Sequence, residues 1–330
     1  MRKRIYVSHH ITNPRLDLEA RRLGLEKLAE IGNVEDQPSE LTDREAEGVI
    51  AVIADSAPFR DSFYEAAVDL RVVARWGVGF DKVNVEAATK HGVLVTVTPV
   101  HMDTVAEYTI AQWLATLKRV YTLNRNSHEG NFEIIPTYEA QGSTLGLYGF
   151  GRIGQEVAKR ARPLLGESGR LLVYDIRPDI EEVSAPFGAE IVDRPEVLFE
   201  EATTVSLHVS GDETIVTRDQ LRLMKPHASL INPSRGNLVD DNDVNQAIRD
   251  ECLCYYVVDD PVNGPRAIHK GHPRIICTNH NGGITLESTE RLDAKSFEQV
   301  TDAILGRRPQ HILNEEVLDH PRVKSWLRNT

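Results

Sequence analysis

The segment TLGLYGFGRIGQEVAKRA, residues 144–161, sets the expected architecture of this chain. It starts with an apolar run of the kind found in strands that are buried on both faces of a sheet. Gly149, Gly151 and Gly154 follow in the spacing G-x-G-x-x-G, and a helical pattern of apolar residues begins there. Glycines at these places allow a tight turn, a close approach of the backbone to a pyrophosphate, and close packing of a helix on a strand. The segment therefore predicts a strand–loop–helix unit that binds a dinucleotide.

The next apolar run, residues 170–175, ends with an acid where a dinucleotide site needs one. Asp175 lies 21 positions after Gly154. A carboxylate there can accept hydrogen bonds from the adenosine ribose and repels a 2′-phosphate, so the pattern predicts NAD rather than NADP. Arg177, two residues further on, could weaken that preference. A βαβ unit that binds nothing is the alternative interpretation.

Apolar runs alternate with helical patterns along the chain, which predicts parallel α/β units. The runs that we interpret as strands cover residues 5–7, 48–54, 70–75, 92–97, 144–150, 170–175, 204–209, 228–232, 254–259 and 274–278. Leucines and isoleucines from Leu16 to Ile31 show helical spacing. Residues 103–125 predict one long helix with Asp103 or Thr104 as its N-cap. The two series of strands predict two α/β domains.

The charge and the cysteine content exclude several classes of protein as first hypotheses. The chain has 38 Lys and Arg against 50 Asp and Glu, and its net charge of −12 disfavours nucleic acid and anionic membranes as partners. Cys252, Cys254 and Cys277 lack the spacing of a disulfide framework or a zinc site. No apolar run is long enough to cross a bilayer. We expect a soluble cytoplasmic protein that needs no metal.

Motifs in order along nearly the whole chain resemble those of the D-isomer-specific 2-hydroxyacid dehydrogenase family. They are VVARWGVGFDKVNVEAATKHGVLVTVTP (72–99), VAEYTIAQWLA (105–115), GLYGFGRIG (146–154), LINPSRGNLVD (230–240) and TNHNGG (278–283). The resemblance implies an α/β fold in which a Rossmann dinucleotide-binding domain, residues 100–289, is inserted into a flavodoxin-like substrate domain, residues 1–99 and 290–330. It also implies a homodimer.

The resemblance assigns roles to residues around a substrate. Val78 and Gly79 match the main-chain loop that holds the substrate carboxylate in the family. Arg235 matches the arginine that clamps this carboxylate and polarises the reacting carbonyl, a task that suits a planar, always charged guanidinium. His280 matches the acid/base, because an imidazole can exchange a proton near neutral pH. Trp76 could shape the substrate pocket, or it could be a packing residue.

The resemblance also assigns residues to the cofactor. Asp259, at the end of a strand, matches an aspartate that hydrogen-bonds the nicotinamide carboxamide. The full set that we expect to contact NAD is Gly149, Gly151, Arg152, Ile153, Gly154, Asp175, His208, Asn232 and Asp259.

The chain departs from the family at the partner of its histidine. A glutamate normally follows the aspartate by five positions, and this chain has Gly264 there. Asp260 is a weak substitute, because adjacent strand residues point to opposite sides. His269 and His272 could be metal ligands with Asp260, but contacts within a proline-rich turn are the favoured interpretation.

The dinucleotide motif and the family resemblance together imply an NAD-dependent oxidoreductase that interconverts a small D-2-hydroxy acid and its 2-keto acid. Asp55 lies where members that act on phosphoglycerate tend to have an arginine, so we expect a substrate without a phosphate. The family also contains formate dehydrogenases, but the loop around Gly77 to Phe80 is typical of the hydroxyacid members. The alternative is a relative that binds NAD(H) with little turnover and acts as a sensor or corepressor.

Overall fold

The computed structural model describes residues 3–8, 11, 14–30, 41–55, 58–262 and 264–328. The chain folds into two compact units. One, called here the split unit, combines residues 1–101 with residues 286–330, and the other, the inserted unit, comprises residues 102–285.

Parallel strands form one sheet in each unit. In chain order the strands are β1 (Arg4–Ser8), β2 (Glu26–Glu30), β3 (Val49–Ala54), β4 (Val72–Arg75), β5 (Leu94–Thr96), β6 (Thr144–Tyr148), β7 (Arg170–Tyr174), β8 (Glu190–Ile191), β9 (Thr204–Leu207), β10 (Ser229–Asn232), β11 (Tyr255–Val258) and β12 (Ile275–Cys277). The sheet of the split unit has the order β2-β1-β3-β4-β5, and that of the inserted unit β12-β11-β10-β9-β6-β7-β8. The predicted α/β fold class is confirmed.

Helices lie between most of the consecutive strands, as is usual for crossover connections in parallel sheets. They are α1 (Pro14–Arg22), α2 (Asp61–Ala66), α3 (Val85–Lys90), α4 (Met102–Leu117), α5 (Val120–His128), α6 (Arg152–Leu165), α7 (Ile180–Ser184), α8 (Glu196–Glu201), α9 (Arg218–Leu221), α10 (Asp241–Arg249), α11 (Leu286–Ile304) and α12 (Pro321–Trp326). Every residue of β3 and of β9 to β11 is buried, because these central strands are covered on both faces.

The helical prediction from Leu16 to Ile31 is wrong in its second half. Helix α1 ends at Arg22, and β2 begins at Glu26 and pairs with β1. Gly24 takes the left-handed conformation with φ +70°, and the amide of Leu25 donates to the carbonyl of Ala20 at 2.9 Å. This Schellman turn stops the helix, and the predicted Ile31 lies outside the described residues.

The single long helix predicted for residues 103–125 is two helices. Helix α4 starts at Met102 and ends at Leu117, and α5 starts at Val120. Arg119 between them is left-handed, with φ 49°. The amide of Tyr138 donates to the carbonyl of Leu117 at 3.0 Å, and the Arg119 guanidinium lies 5.8 Å from the Tyr138 ring centroid. These contacts come from a segment distant in sequence, so the helical periodicity could not indicate the break.

Candidate active site

The glycine loop lies between β6 and α6, and each glycine has a distinct physical reason. Gly149 has φ +98°, and a Cβ on it would lie 2.5 Å from the carbonyl oxygen of His208. A Cβ on Gly154 would lie 2.5 Å from the carbonyl oxygen of Gly149. A Cβ on Gly151, the N-cap of α6, would meet no atom of the described residues within 4 Å. Gly149 and Gly154 are therefore required by the fold. Gly151 instead leaves open space at a helix N-terminus, where amide groups can bind a phosphate.

This contrast leads to a prediction for two alanine variants. Gly151→Ala should keep the stability of the wild type, because its φ of −70° suits any residue, but it should weaken NADH binding by about tenfold or more, since the methyl group occupies the phosphate space. Gly149→Ala should destabilise the protein by about 2 kcal/mol or more. Thermal unfolding and NADH fluorescence titration of both variants measure the two effects. Equal loss of stability in both would contradict the assignment.

A cavity of about 510 Å³ lies beside the glycine loop, at the carboxyl ends of β6, β7 and β9. The rings of Tyr148 and Tyr174 pack edge to face at 5.2 Å in its wall. Ile176, which is 90% exposed, offers an apolar surface there. Sequence reasoning missed the other wall, which consists of Val209, Ser210, Gly211, Asp212, Glu213, Ile215 and Leu238. Leu238 belongs to the motif at residues 230–240, but no motif marks residues 210–215, which directly follow the run 204–209.

Asp175 lines the same cavity and also holds the glycine loop. Its carboxylate accepts hydrogen bonds from the amides of Phe150 and Arg177. A carboxylate offers about four lone-pair positions, so two remain for hydroxyl groups of a ligand. The predicted ribose contact is therefore compatible with the local structure.

His208 follows β9 and carries an imidazole with an unusual environment. Both ring nitrogens are buried, and neither has a hydrogen-bond partner among the described residues. Burial lowers the pKa of His208 to about 3, so the ring is neutral at ordinary pH. Buried polar groups in native proteins are usually hydrogen-bonded, so these two nitrogens have bonding capacity that a bound cofactor can satisfy. This supports the prediction that His208 lies beside the bound cofactor.

The pKa of His208 predicts acid sensitivity. The unfolded chain binds this proton below about pH 6.5 and the folded chain only below about pH 3, so stability is complete above the first value and falls as the pH drops between them. The loss at pH 5 should be about 2 kcal/mol. His208→Phe removes the titration, so the wild type should lose about 2 kcal/mol more than this variant between pH 7 and pH 5. Urea unfolding of both proteins at pH 7 and pH 5 measures the difference. Equal losses of stability in the wild type and in His208→Phe would refute the assignment.

Arg235 lies in a tight loop after β10 that Asn232 braces. The side-chain amide of Asn232 donates to the carbonyl of Arg235 at 2.8 Å, and its oxygen accepts from the amide of Ser234 at 3.1 Å. The Ser234 hydroxyl donates to the carbonyl of Leu207 at 2.9 Å. Asn232 is buried and Arg235 is half-buried. The structure thus uses Asn232 to set the loop that carries Arg235.

His280 is exposed on a short loop that the buried carboxylate of Asp259 organises. Asp259 accepts hydrogen bonds from the amides of Asn281, at 2.9 Å, and Gly282, at 2.7 Å, and from the hydroxyl of Thr278. His280 itself is left-handed, with φ 57°, and its Nδ1 lies 3.3 Å from the carbonyl oxygen of Asp259.

Tyr108 of α4 completes this loop and was not found from the sequence. Its hydroxyl lies 2.8 Å from that of Thr278, and burial raises its pKa. A Cβ on Gly282 would lie 2.8 Å from Asp259 Oδ2 and 3.1 Å from the Tyr108 ring, so glycine is required at this close approach. Nothing in the spacing of Tyr108 along its helix indicates a contact with residue 278.

Asp260 points to a different group of residues from Asp259. Arg266, which is buried, lies with its Nε 3.9 Å from Asp260 Oδ2 and 3.1 Å from Asp241 Oδ2. Burial raises the pKa of Asp260, and the charges of Arg266 and His280 oppose that shift. His269 is buried with its Nε2 2.8 Å from Asp241 Oδ1. The partner of His269 thus lies in helix α10 and outside the proline-rich turn. Among the described residues there is no group of three or more potential ligands that could hold a metal.

The loop after β4 in the split unit contains the two residues that we expect to bind a carboxylate through their amides. Gly77 has φ +126°, and its carbonyl accepts from the amide of Thr98 at 2.8 Å. Val78 and Gly79, which follow, are half-buried. Trp76 is 6% exposed and belongs to the hydrophobic core of this unit, where its Nε1 donates to Asp293 Oδ1 at 2.8 Å. This burial favours the packing interpretation of Trp76, and a contact with substrate stays a prediction.

Comparison with known proteins decides the family. Residues 110–282 match the family described as D-isomer specific 2-hydroxyacid dehydrogenase, NAD binding domain. The chain belongs to this family. It is 32% identical over 291 residues to a glyoxylate reductase of Korarchaeum cryptofilum, with 83% of this chain and 85% of the relative covered.

Two further similarities cover almost the full length of both proteins. A hydroxypyruvate reductase of Thermotoga maritima is 30% identical over 303 residues, with 88% of this chain and 96% of the relative covered. The crystal structure of the TT0316 protein from Thermus thermophilus superposes with a TM-score of 0.80 at 30% identity, with 94% and 99% covered.

The predicted family, cofactor and enzyme class are thus confirmed, and the chain is an NAD-dependent 2-hydroxyacid dehydrogenase. None of the helices in the described part of this dehydrogenase has the length and apolar character that a membrane crossing needs.

The charge argument from Asp55 needs correction for this dehydrogenase. Arg75 Nη1 lies 2.9 Å from Asp55 Oδ1, and both side chains are largely buried. The carboxylate is therefore neutralised by its ion pair, so it does not act as the isolated negative charge that would repel a phosphate. Asp55 alone does not decide the substrate.

Proposed function

We propose that this dehydrogenase interconverts a small D-2-hydroxy acid and its 2-keto acid, with His280 as the proton donor and acceptor. The observation that carries the proposal is the anchored loop from Thr278 to Gly282. A buried carboxylate fixes the loop through three donors, while the imidazole at its tip is exposed. A fixed backbone that presents a mobile proton is what acid/base catalysis needs.

His280 has two ring nitrogens with different surroundings. With Nδ1–H donating to the carbonyl of Asp259, Nε2 is the nitrogen that exchanges a proton with the substrate oxygen. The carbonyl is a neutral acceptor and takes the orienting role that a glutamate would have at Gly264.

The other roles follow the family resemblance and the local geometry. Arg235 binds the substrate carboxylate and polarises the carbonyl that is reduced, because a guanidinium donates several charged hydrogen bonds in one plane. Val78 and Gly79 belong to the split unit, which we assign as the substrate domain. The family resemblance assigns their amides to substrate binding.

NAD, when bound, accepts or supplies the hydride. The residues that would hold it are the amides at the start of α6 from Gly151 to Gly154, the carboxylate of Asp175 at the ribose, and Gly149 and His208 beside them. The open space at Gly151 and the unpartnered imidazole of His208 fit such a group.

The substrate is a small 2-keto acid of the size of glyoxylate or hydroxypyruvate. The names of the relatives support this, since the curated proteins at 30% to 32% identity that cover most of both chains include glyoxylate and hydroxypyruvate reductases.

The enzyme acts as a homodimer. The segment after α5 supports this, because Phe132 and Ile134 are 81% and 93% exposed in the single chain. Two large apolar side chains so close in sequence are typical of a surface that a second copy covers.

The experiment is NADH oxidation against a panel of 2-keto acids that includes glyoxylate, hydroxypyruvate, pyruvate and a phosphorylated acid. Turnover with the small acids, and none with the phosphorylated one, supports the proposal. Gly264→Glu measured in parallel tests whether a carboxylate at the family position extends reduction to higher pH. Tight NADH binding with no turnover on any acid would favour the sensor alternative instead.

A further inference from the structure

Arg177 and Asp179 form an ion pair close in sequence to Asp175, the acid that we assign to the cofactor ribose. Arg177 Nε and Nη2 donate to the two carboxylate oxygens of Asp179 at 2.6 and 2.8 Å. Arg177 Nη1 donates to the carbonyl of Phe150 in the glycine loop at 3.0 Å. A guanidinium has five N–H donors in a fixed plane, and three of its donor contacts are already made.

The surrounding charges are negative. Asp175, Asp212 and Glu213 line the cavity, and its described lining contains no lysine or arginine. Arg177 is thus the cation closest in sequence to the ribose-binding Asp175, and its backbone amide donates to Asp175 Oδ1 at 2.9 Å. Hydrogen bonding to Arg177 lowers the pKa of Asp179, so the pair stays ionised over the working range of an enzyme.

We propose that Asp179 is a specificity-determining residue that keeps this enzyme selective for NAD by holding Arg177 away from a 2′-phosphate. Arginine is the preferred side chain for binding a phosphate, and one placed near the ribose acid is the usual means of accepting NADP. Here the residue type and its place are present, but both oxygens of Asp179 occupy the guanidinium. The preference for NAD therefore depends on two acids, Asp175 by repulsion and Asp179 by competition for Arg177.

The inference rests on the cofactor site of the proposed function but not on its substrate. Equilibrium binding therefore tests it without turnover. Dissociation constants for NADH and NADPH are measured by cofactor fluorescence on the full chain. The variants are Asp179→Ala, Asp175→Asn, the double variant with both changes, and that double variant with Arg177→Ala added.

Removal of the Asp179 carboxylate should release Arg177 and increase the affinity for NADPH without a matching increase for NADH. In the Asp175→Asn background, Asp179→Ala should tighten NADPH binding by about tenfold and change NADH binding by less than about twofold. Asp179→Ala alone should give a gain of about threefold, because Asp175 still repels the phosphate. Asp179 is exposed, so Asp179→Ala alone should leave the fold intact. It therefore still tests the proposal if Asp175→Asn disturbs the glycine loop.

Two controls distinguish release of Arg177 from a general effect of removing a negative charge. Arg177→Ala in the double variant should abolish the NADPH gain. Glu182→Gln, which removes an exposed acid of α7 three positions from Asp179, should produce none. The proposal would be overturned if the increase in NADPH affinity persisted after Arg177→Ala or if Glu182→Gln produced an equal increase. It would also be overturned if Asp179→Ala produced no increase in either the wild-type or the Asp175→Asn background. Absence of turnover on every keto acid would refute the proposed function and leave this result intact.

Discussion

Replacement of His280 by asparagine is expected to slow reduction of the best 2-keto acid by about 10²- to 10⁴-fold, the range that a positioned acid/base contributes. Asparagine is a better replacement than alanine for this test, because His280 has φ 57° and asparagine tolerates the left-handed conformation better than most residues. The backbone of the loop should stay in place, so the change removes the proton-exchanging group and little else.

NADH affinity and thermal stability provide the controls for this variant. Both should remain close to wild type, because the imidazole is exposed and its Nδ1 lies at hydrogen-bond distance from a backbone carbonyl, that of Asp259. His128→Asn, at an exposed histidine at the end of α5, should leave turnover unchanged. Turnover within tenfold of wild type in His280→Asn would exclude His280 as the acid/base, and the proton would then have to come from another group.

The dinucleotide unit could be predicted from the sequence because its requirements are local. The distance between Gly149 and Gly154, and from there to Asp175, is fixed by one strand, one turn and one helix, so spacing alone carries the information. The same holds for the continuous apolar runs of the central strands.

The features that sequence reasoning missed depend on contacts between distant segments. The break at Arg119 is stabilised by Tyr138, and no glycine or proline marks it. Trp76 is a large aromatic residue next to Gly77, so the sequence is compatible with a role in the substrate pocket and with a role in core packing. The buried indole donates a hydrogen bond to Asp293, more than 200 positions away. Pairing of this kind cannot be derived from periodicity.

Asp259 illustrates the same limit at the site itself. The family resemblance implies a contact with the nicotinamide carboxamide. In the structure its carboxylate accepts three hydrogen bonds from the loop that carries His280, and it is 4% exposed. With about four lone-pair positions it can serve the loop and still accept one bond from a cofactor. The two roles make different predictions.

Asp259→Ala should therefore lower kcat by about 10²-fold or more and the free energy of unfolding by about 3 kcal/mol. Three donors, two of them backbone amides, lose a buried acceptor, and the loop that positions His280 loses its anchor. Thr278→Val removes only one of these donors and should lower the free energy of unfolding by about 1 kcal/mol. Chemical unfolding and steady-state kinetics of both variants measure the difference.

Gly282→Ala separates the positioning role of Asp259 from a direct role at the cofactor. The added methyl group would lie 2.8 Å from Asp259 Oδ2, so it displaces the loop while the carboxylate remains. If Asp259 acts by positioning His280, Gly282→Ala should reproduce the loss in kcat, and both variants should bind NADH within about threefold of wild type. If Asp259→Ala weakens NADH binding by tenfold or more and Gly282→Ala does not, the carboxylate acts on the cofactor directly. The ratio of the two NADH dissociation constants therefore decides which contact of Asp259 the reaction depends on.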